Sequence, residues 1–577
     1  MRAWPSVATA TAGISSSACP RWPRPSRSTR RSRSSTTWTR RRHWNRPTPT
    51  GYVPDRFGGS GSVLLHDVFA FHATARPDAV FAVDGARTVT YGEALDTARR
   101  VAGALVRSGV GPGDRFGYVG PNSVEHAVVY YAASMVGAVP VPLNTRLAPA
   151  EVAFVLADSG ARALIADADL APALDGAVDV PVRVAVGDPP AGWTAWDTWI
   201  AGDPVPPTHP RPTPDATLYQ MYTSGTTGSP KGVVLSHRAV LANCAQVTAG
   251  VATGVDVGDR WLIVAPLFHA AAVITAFCCV NGGGCLVIHR GFDPARVVDA
   301  LRDDRIALTT LVPAMIQACL AVPGVDGHDY PDLQSLAYGG SAIAEPVLRR
   351  AMEVWGCDFY QGFGQTESSA GLTYLTESDH RAALAGRPEL LASCGRPLPG
   401  TEIRIVDDAG APVPVGEIGE IVARGPQLMD GYWNRPDETA ATLADGWLHT
   451  GDLGFLDAAG YLAVCDRRSD MIVSGGENVA SREVESVLLT HPAVLDVAVI
   501  AVPDARFGEA VHAVVVVAPG ETVDLDALAA HCDGRLARFK VPRSVDIADE
   551  IPRNASGKVL KSALRAPHWA GQNRGVG

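Results

Sequence analysis

Apolar positions between residues 64 and 167 recur in two alternating rhythms, a helical spacing and then a short unbroken run. The first predicts amphipathic helices and the second buried strands. A helix ends before Pro77, a hairpin follows over residues 79–90, and a second helix occupies 91–108. Residues 110–144 then read strand, turn, helix, strand, and 151–166 add one more helix–strand unit. Such alternation predicts a parallel sheet flanked by helices. Residues 191–213, rich in proline and tryptophan, predict an irregular connection. Beyond it come a helix over 236–249, a strand over 261–264 and another over 306–312. Between 395 and 432 the pattern changes to short strands punctuated by Gly and Pro, which predicts a small barrel-like β subdomain. Near the end, Ser481 is placed to cap a helix with Glu483 and Glu485 in its first turn. Strands over 494–502 and 510–517, a helix over 525–536 and a strand over 544–547 complete a small α+β unit.

One stretch breaks these rhythms. In MYTSGTTGSPKGVVLSH, an apolar run ends at Tyr222, a series of Gly, Ser and Thr follows, and Lys231 leads into another apolar run. This predicts a loop between two strands. Gly225 and Gly228 permit backbone torsions that other residues resist. Thr223, Ser224, Thr226, Thr227 and Ser229 offer hydroxyls, the loop's N–H groups can form an anion nest, and Lys231 adds a point charge. The inventory suits a polyphosphate, although Gly/Ser/Thr clusters are also ordinary surface loops. The Walker spacing is absent, which excludes a P-loop mechanism.

A chain of 577 residues is too long for one core and predicts two or more domains. Its net charge of −10 argues against a nucleic-acid partner. Ten cysteines with no C-x-x-C pair fit neither a zinc site nor a disulfide scaffold, and point to a reducing, cytoplasmic setting. No uninterrupted apolar run is long enough to span a membrane, since Pro140 and Pro142 cut the longest one. Residues 1–50 stand apart: they hold many arginines and no Asp, Glu or Lys. A transit peptide, a disordered basic arm and a non-native extension all fit that composition. The extension is the preferred reading, for a segment taken to reach residue 61, and no function is assigned to it.

YTSGTTGSPKG resembles the phosphate-binding signature of the adenylate-forming (AMP-binding) superfamily. Further motifs follow in the family's order. LAYGGSA places Gly339 and Gly340 at a strand end, and DFYQGFGQTESSAG carries Gln361, Gly362, Phe363, Thr366 and Glu367. The resemblance implies that Phe363, where Tyr is commoner, stacks on adenine, that Thr366 bonds a phosphate oxygen, and that Glu367 ligates Mg²⁺. Asp452, in a Thr-Gly-Asp turn, and Arg467 would hold the ribose. His269, just after a strand end, would gate the acyl site, with Ala270, Ala271 and Ala272 as a small apolar wall. RRSD places Ser469 at the hinge, where the family usually has Asp or Lys. Ser474, Gly475 and Gly476 in MIVSGGENV would line the route of the CoA arm. Lys558, in a P-x-x-x-x-G-K pattern starting at Pro552, would reach the acyl carboxylate and α-phosphate.

The resemblance covers roughly residues 62–566 and looks most like fatty-acyl and aryl-acyl CoA synthetases. It implies an α/β fold: a large N-terminal domain of parallel α/β subdomains plus the β-barrel-like subdomain (62–468), then a small mobile α+β C-terminal domain (469–577). The implied reaction uses ATP, Mg²⁺, coenzyme A and an apolar small-molecule carboxylic acid, fatty or aromatic. It forms an acyl-adenylate with loss of pyrophosphate, and then, after the small domain turns about Ser469, a thioester. A carrier-protein thiol or an amine as acceptor stays open, as do a homodimer and a nucleotide-binding protein without catalysis.

Overall fold

The computed structural model describes residues 63–206, 209–223, 230–250, 256–340, 343, 345–553 and 559–570. The N-terminal extension, the loop residues Ser224, Gly225, Thr226, Thr227 and Gly228, and Lys558 lie outside the described residues.

Several helices begin and end where their sequences dictate. Leu65–Ala75 stops before Pro77 as expected. Tyr91–Arg107 starts from Thr90, whose hydroxyl accepts from the Glu93 N–H while the Glu93 carboxylate accepts from the Thr90 N–H, a reciprocal cap. Val124–Val136 ends at Gly137 in the left-handed region, and the chain turns into the strand Val139–Leu143. That strand carries Pro140 and Pro142 and lies at the edge of its sheet, where missing N–H donors are tolerated.

Two sheets dominate. One is wholly parallel, with spatial order Val139–Leu143, Arg115–Val119, Ala163–Asp167, Val182–Val186 and Thr194–Ala195. The last strand and the helix Trp196–Ile200 correct the irregular reading of 191–213. Trp193 and Trp196 are buried there, so the tryptophans signalled packing and not a loop. The other sheet has nine strands, with parallel neighbours at its centre and antiparallel strands at both edges. The first hairpin, Val80–Asp84 with Arg87–Thr90, joins this second sheet by pairing with Cys285–Ile288. Between them sits a core built around Phe69, Phe81, Tyr91 and Tyr131, with ring centroids of Phe69 and Tyr131 4.5 Å apart.

The β-rich region forms a five-stranded antiparallel sheet that includes Glu402–Val406, Gly419–Arg424, Trp447–Leu456 and Leu462–Arg467. A separate C-terminal sheet holds Ile472–Ser474, Glu477–Val479, Val494–Asp504, Gly508–Val517 and Ser544–Ile547, with its own apolar clusters on its two faces. The helix expected over 525–536 is shorter, Leu525–Cys532. Among the described residues no helix is long and apolar enough to cross a membrane.

Candidate functional site

The strands Thr217–Thr223 and Lys231–Ser236 are antiparallel with Thr223 opposite Lys231, so both ends of the hydroxyl-rich loop are fixed at one place. A two-residue strand, Gly431–Tyr432, pairs with the outer side of Lys231–Ser236. This pairing carries Tyr432 between two of the expected site residues. Its phenol donates 2.8 Å to Glu367 Oε1, and the Lys231 ammonium stands 5.2 Å from its ring centroid. Burial, then the Glu367 carboxylate, push the Tyr432 phenol up, so it stays a donor at neutral pH. Lys231 also pairs with Glu438 Oε2 at 2.8 Å. Glu367 lies in the single turn Thr366–Ser368 and is buried, with its backbone oxygen held by the Met429 N–H. A buried carboxylate with one oxygen tied down and the other without a hydrogen bond among the described residues fits a hard divalent cation.

The strands Ser335–Gly339 and Asp358–Phe363 run parallel with Gly339 beside Gly362. A Cβ at Gly339 would stand 2.4 Å from the Gly362 oxygen, so packing of the two strand ends demands glycine there. Phe363 packs one side against the cluster of Ile405, Ile421 and Leu462. Gln361 departs from expectation: it is buried, accepts from the Tyr338 hydroxyl at 3.4 Å and donates to Cys394 Sγ at 3.8 Å. Its side-chain amide serves this interior network, which leaves only its place near the strand end to the nucleotide site. The Thr366 hydroxyl has no partner among the described residues.

Asp452 does not sit in a free-standing turn. It lies within the strand Trp447–Leu456, next to Gly451 at φ 69°, and faces Arg467 in the neighbouring strand. The two side chains meet at 2.8 Å, Asp452 buried and Arg467 partly open to solvent. Ser469 is exposed in the turn that follows. The residues on either side of it are anchored in opposite directions, Arg468 to Asp408 at 2.7 Å and Asp470 to Arg565 at 2.5 Å. Ser474, Gly475 and Gly476 belong to the C-terminal sheet. Gly475 and Gly476 form the two-residue loop of a hairpin with φ 63° and 86°, a turn that requires left-handed residues. Ser474 Oγ is buried without a partner among the described residues.

His269 precedes the helix Ala270–Asn281, where its side chain does not cap. Its Nε2 is buried without a hydrogen-bond partner among the described residues, and burial lowers the imidazole to about 4, so the ring is neutral at pH 7. Ala270 and Ala272 are buried in the core, and only Ala271 of the expected wall is exposed. Ser481 is not the N-cap either; Ala480 takes that place, and Ser481 is the first helical residue.

Sequence reasoning missed Tyr432 and Glu438, because a tyrosine in a two-residue strand looks like packing until the strand's partner is known. It also missed a buried polar seam. Asp466 accepts from the Ser481 N–H at 2.6 Å and its hydroxyl at 2.5 Å, and Lys561 donates to the same Ser481 hydroxyl. Lys561 pairs with Glu485 at 2.8 Å. Burial raises the Glu485 carboxyl, opposed by the Lys561 ammonium.

Residues 69–433 match the AMP-binding enzyme family, and residues 483–558 match the AMP-binding enzyme C-terminal domain. The chain is 38% identical to a fatty acid–acyl-carrier-protein ligase of Streptomyces coeruleorubidus, across 88% of this chain and 97% of that protein. It is 41% identical to a feruloyl-CoA synthase of an Amycolatopsis species, across 85% of this chain and 96% of that protein. Among solved structures, the amide bond synthetase McbA from Marinactinospora thermotolerans is similar at a TM-score of 0.78 and 31% identity, covering 87% of this chain and 99% of that one.

Proposed function

This chain belongs to the AMP-binding enzymes, the adenylate-forming ligases, and from that premise we propose that it joins an apolar carboxylic acid to coenzyme A in two steps. The carboxylate attacks the α-phosphorus of ATP, the bond to the bridging oxygen breaks, and pyrophosphate leaves. The CoA thiol then attacks the acyl carbonyl, and AMP leaves. Charge gathers on phosphate oxygens in the first step, so fixed positive charge and donors in a dry site supply most of the help. Lys231, Lys558 and the hydroxyls from Thr223 to Ser229 fill that role. Magnesium bound at Glu367 would neutralise phosphate charge. Asp452 takes the ribose hydroxyls, with Arg467 holding it in place. His269, neutral, stands at the acyl side.

The small domain, residues 469–577, turns about Ser469 between the steps and brings the Ser474–Gly476 hairpin to the thiol's path. The observation that carries the reading is the junction of Lys231, Tyr432 and Glu367. A cation and a hard-oxygen ligand are held together at the foot of a hydroxyl-rich loop. A second reading, transfer to a carrier-protein thiol or an amine, is favoured by the acceptors of the similar ligase and the similar amide synthetase. The test offers fatty and aromatic acids with ATP and each acceptor in turn. Thioester formation with CoA at rates well above the other acceptors is expected. Product with only a carrier protein or only an amine would replace the reading.

A further inference from the structure

We propose that the C-terminal sheet carries a binding site for a zinc-like divalent metal, made by His512, Asp546 and His568. His512 lies on the strand Gly508–Val517 and Asp546 on the parallel strand Ser544–Ile547. Their register sets His512 beside Ser544 and Val514 beside Asp546, so period-two alternation puts His512 and Asp546 on one face. That face is the one covered by the C-terminal segment, through Val514, Val516 and Leu564. His568 enters from this segment, just beyond the helix Lys561–Arg565, and Trp569 pins it by donating 2.9 Å to the Ala501 oxygen.

His512 Nε2 is 3.3 Å and His568 Nε2 3.8 Å from Asp546 Oδ2, and one ligand atom from each residue lies within 4.8 Å of the others. Ligand atoms of a tetrahedral zinc site stand about 3.3 Å apart, given bonds of about 2.0–2.1 Å. Small rotation of the partly exposed His568 closes the remaining gap. A second observation points the same way. His512 is 3% exposed, and its Nε2 faces Asp546 Oδ2 at 3.3 Å without a hydrogen bond of good geometry to any described residue. Its Nδ1 is 2.7 Å from Ser544 Oγ. In the tautomer that donates this bond, Nε2 carries a lone pair toward the cluster, the outer support that metal-bound histidines usually have. Two imidazoles and one carboxylate select zinc and its late first-row neighbours over magnesium or calcium, which prefer all-oxygen sites. The solvent-facing side, where Asp546 is largely exposed, leaves a position for water. Metal here fastens the segment that follows Lys558 in sequence onto the sheet.

The test titrates the full chain, stripped by a chelator, with Zn²⁺ alone against a chromophoric competitor. Wild type is compared with His568→Ala and Asp546→Asn, whose solvent-facing side chains can be changed without opening the core. One zinc per chain is expected, with affinity falling at least about tenfold in each variant, the least that loss of even a supporting contact costs. Glu367→Gln, at the separate magnesium position, is expected to bind zinc as wild type does. Absence of stoichiometric binding, or binding that neither variant weakens, would overturn the proposal.

Discussion

Asp466 and Arg467 are consecutive residues on one strand, yet they serve two different kinds of polar site. Asp466 is buried and its carboxylate is saturated, accepting from the Ser481 N–H and hydroxyl and from the Arg467 N–H. With Lys561 and Glu485 it forms a closed seam under the C-terminal domain. Arg467 points the other way, to Asp452, and remains partly open to solvent. Lys231 is only 15% exposed, but its partner Glu438 is 40% exposed and, in the proposed function, gives way to a phosphate. In the seam the polar groups are largely buried and paired with one another, whereas the groups proposed to act keep a partner that a substrate would replace. Removing a member should therefore cost stability at the seam and substrate binding at the open site.

The largest effect should come from the seam. Lys561→Met leaves Glu485 buried without its cation, a change that costs about 3–5 kcal/mol of stability. Chemical denaturation should show it as a lower midpoint. A loss below about 1 kcal/mol would mean that the seam is not closed in solution. Next, Asp452→Asn should lower the midpoint less than Lys561→Met does, because Arg467 stays partly in solvent, while raising the KM for ATP about 10–100-fold, the value of a hydrogen bond to a charged group. An equal loss of stability would erase the distinction between the two sites.

Acid should act through the buried histidines. Burial lowers His126 and His237 to about 3 and His66 to about 4, against 6.5 for an unburied ring. The unfolded chain therefore binds protons below pH 6.5 that the folded one refuses. Stability is complete above pH 6.5 and is lost as pH falls from there toward 4 and then 3. Each ring adds a slope of roughly 1.4 kcal/mol per pH unit at most. A His126→Phe variant should flatten the midpoint-against-pH curve in that window. The smallest effect belongs to Tyr432→Phe, which removes one donor from Glu367 and should change kcat/KM with Mg·ATP by about 2–10-fold. No change would place Glu367 outside the site.

Much of this was legible in the chain. The helix that starts at Tyr91, the two strands that flank residues 224–229 and the Gly475–Gly476 hairpin follow from local periodicity and turn rules. What was not legible depends on which strand lies beside which. Tyr432 reaches Glu367 only because residues 431–432 pair with 231–236. Gln361 turns inward because Tyr338 and Cys394 stand beside it. The Trp-rich stretch after residue 190 became a strand and a helix because a parallel sheet was there to extend. His512, Asp546 and His568 have no spacing motif, and two parallel strands and a C-terminal segment bring them together.

The reaction proposed for this chain makes an acyl-adenylate with Lys558, supplied from the C-terminal domain. The direct test is pyrophosphate release from ATP over a panel of fatty and aromatic acids, for wild type and Lys558→Ala. Release should require an acid and fall at least about a hundredfold in the variant, the scale for losing a fixed donor at developing charge. Release that is independent of the lysine, or none with any acid, would contradict it.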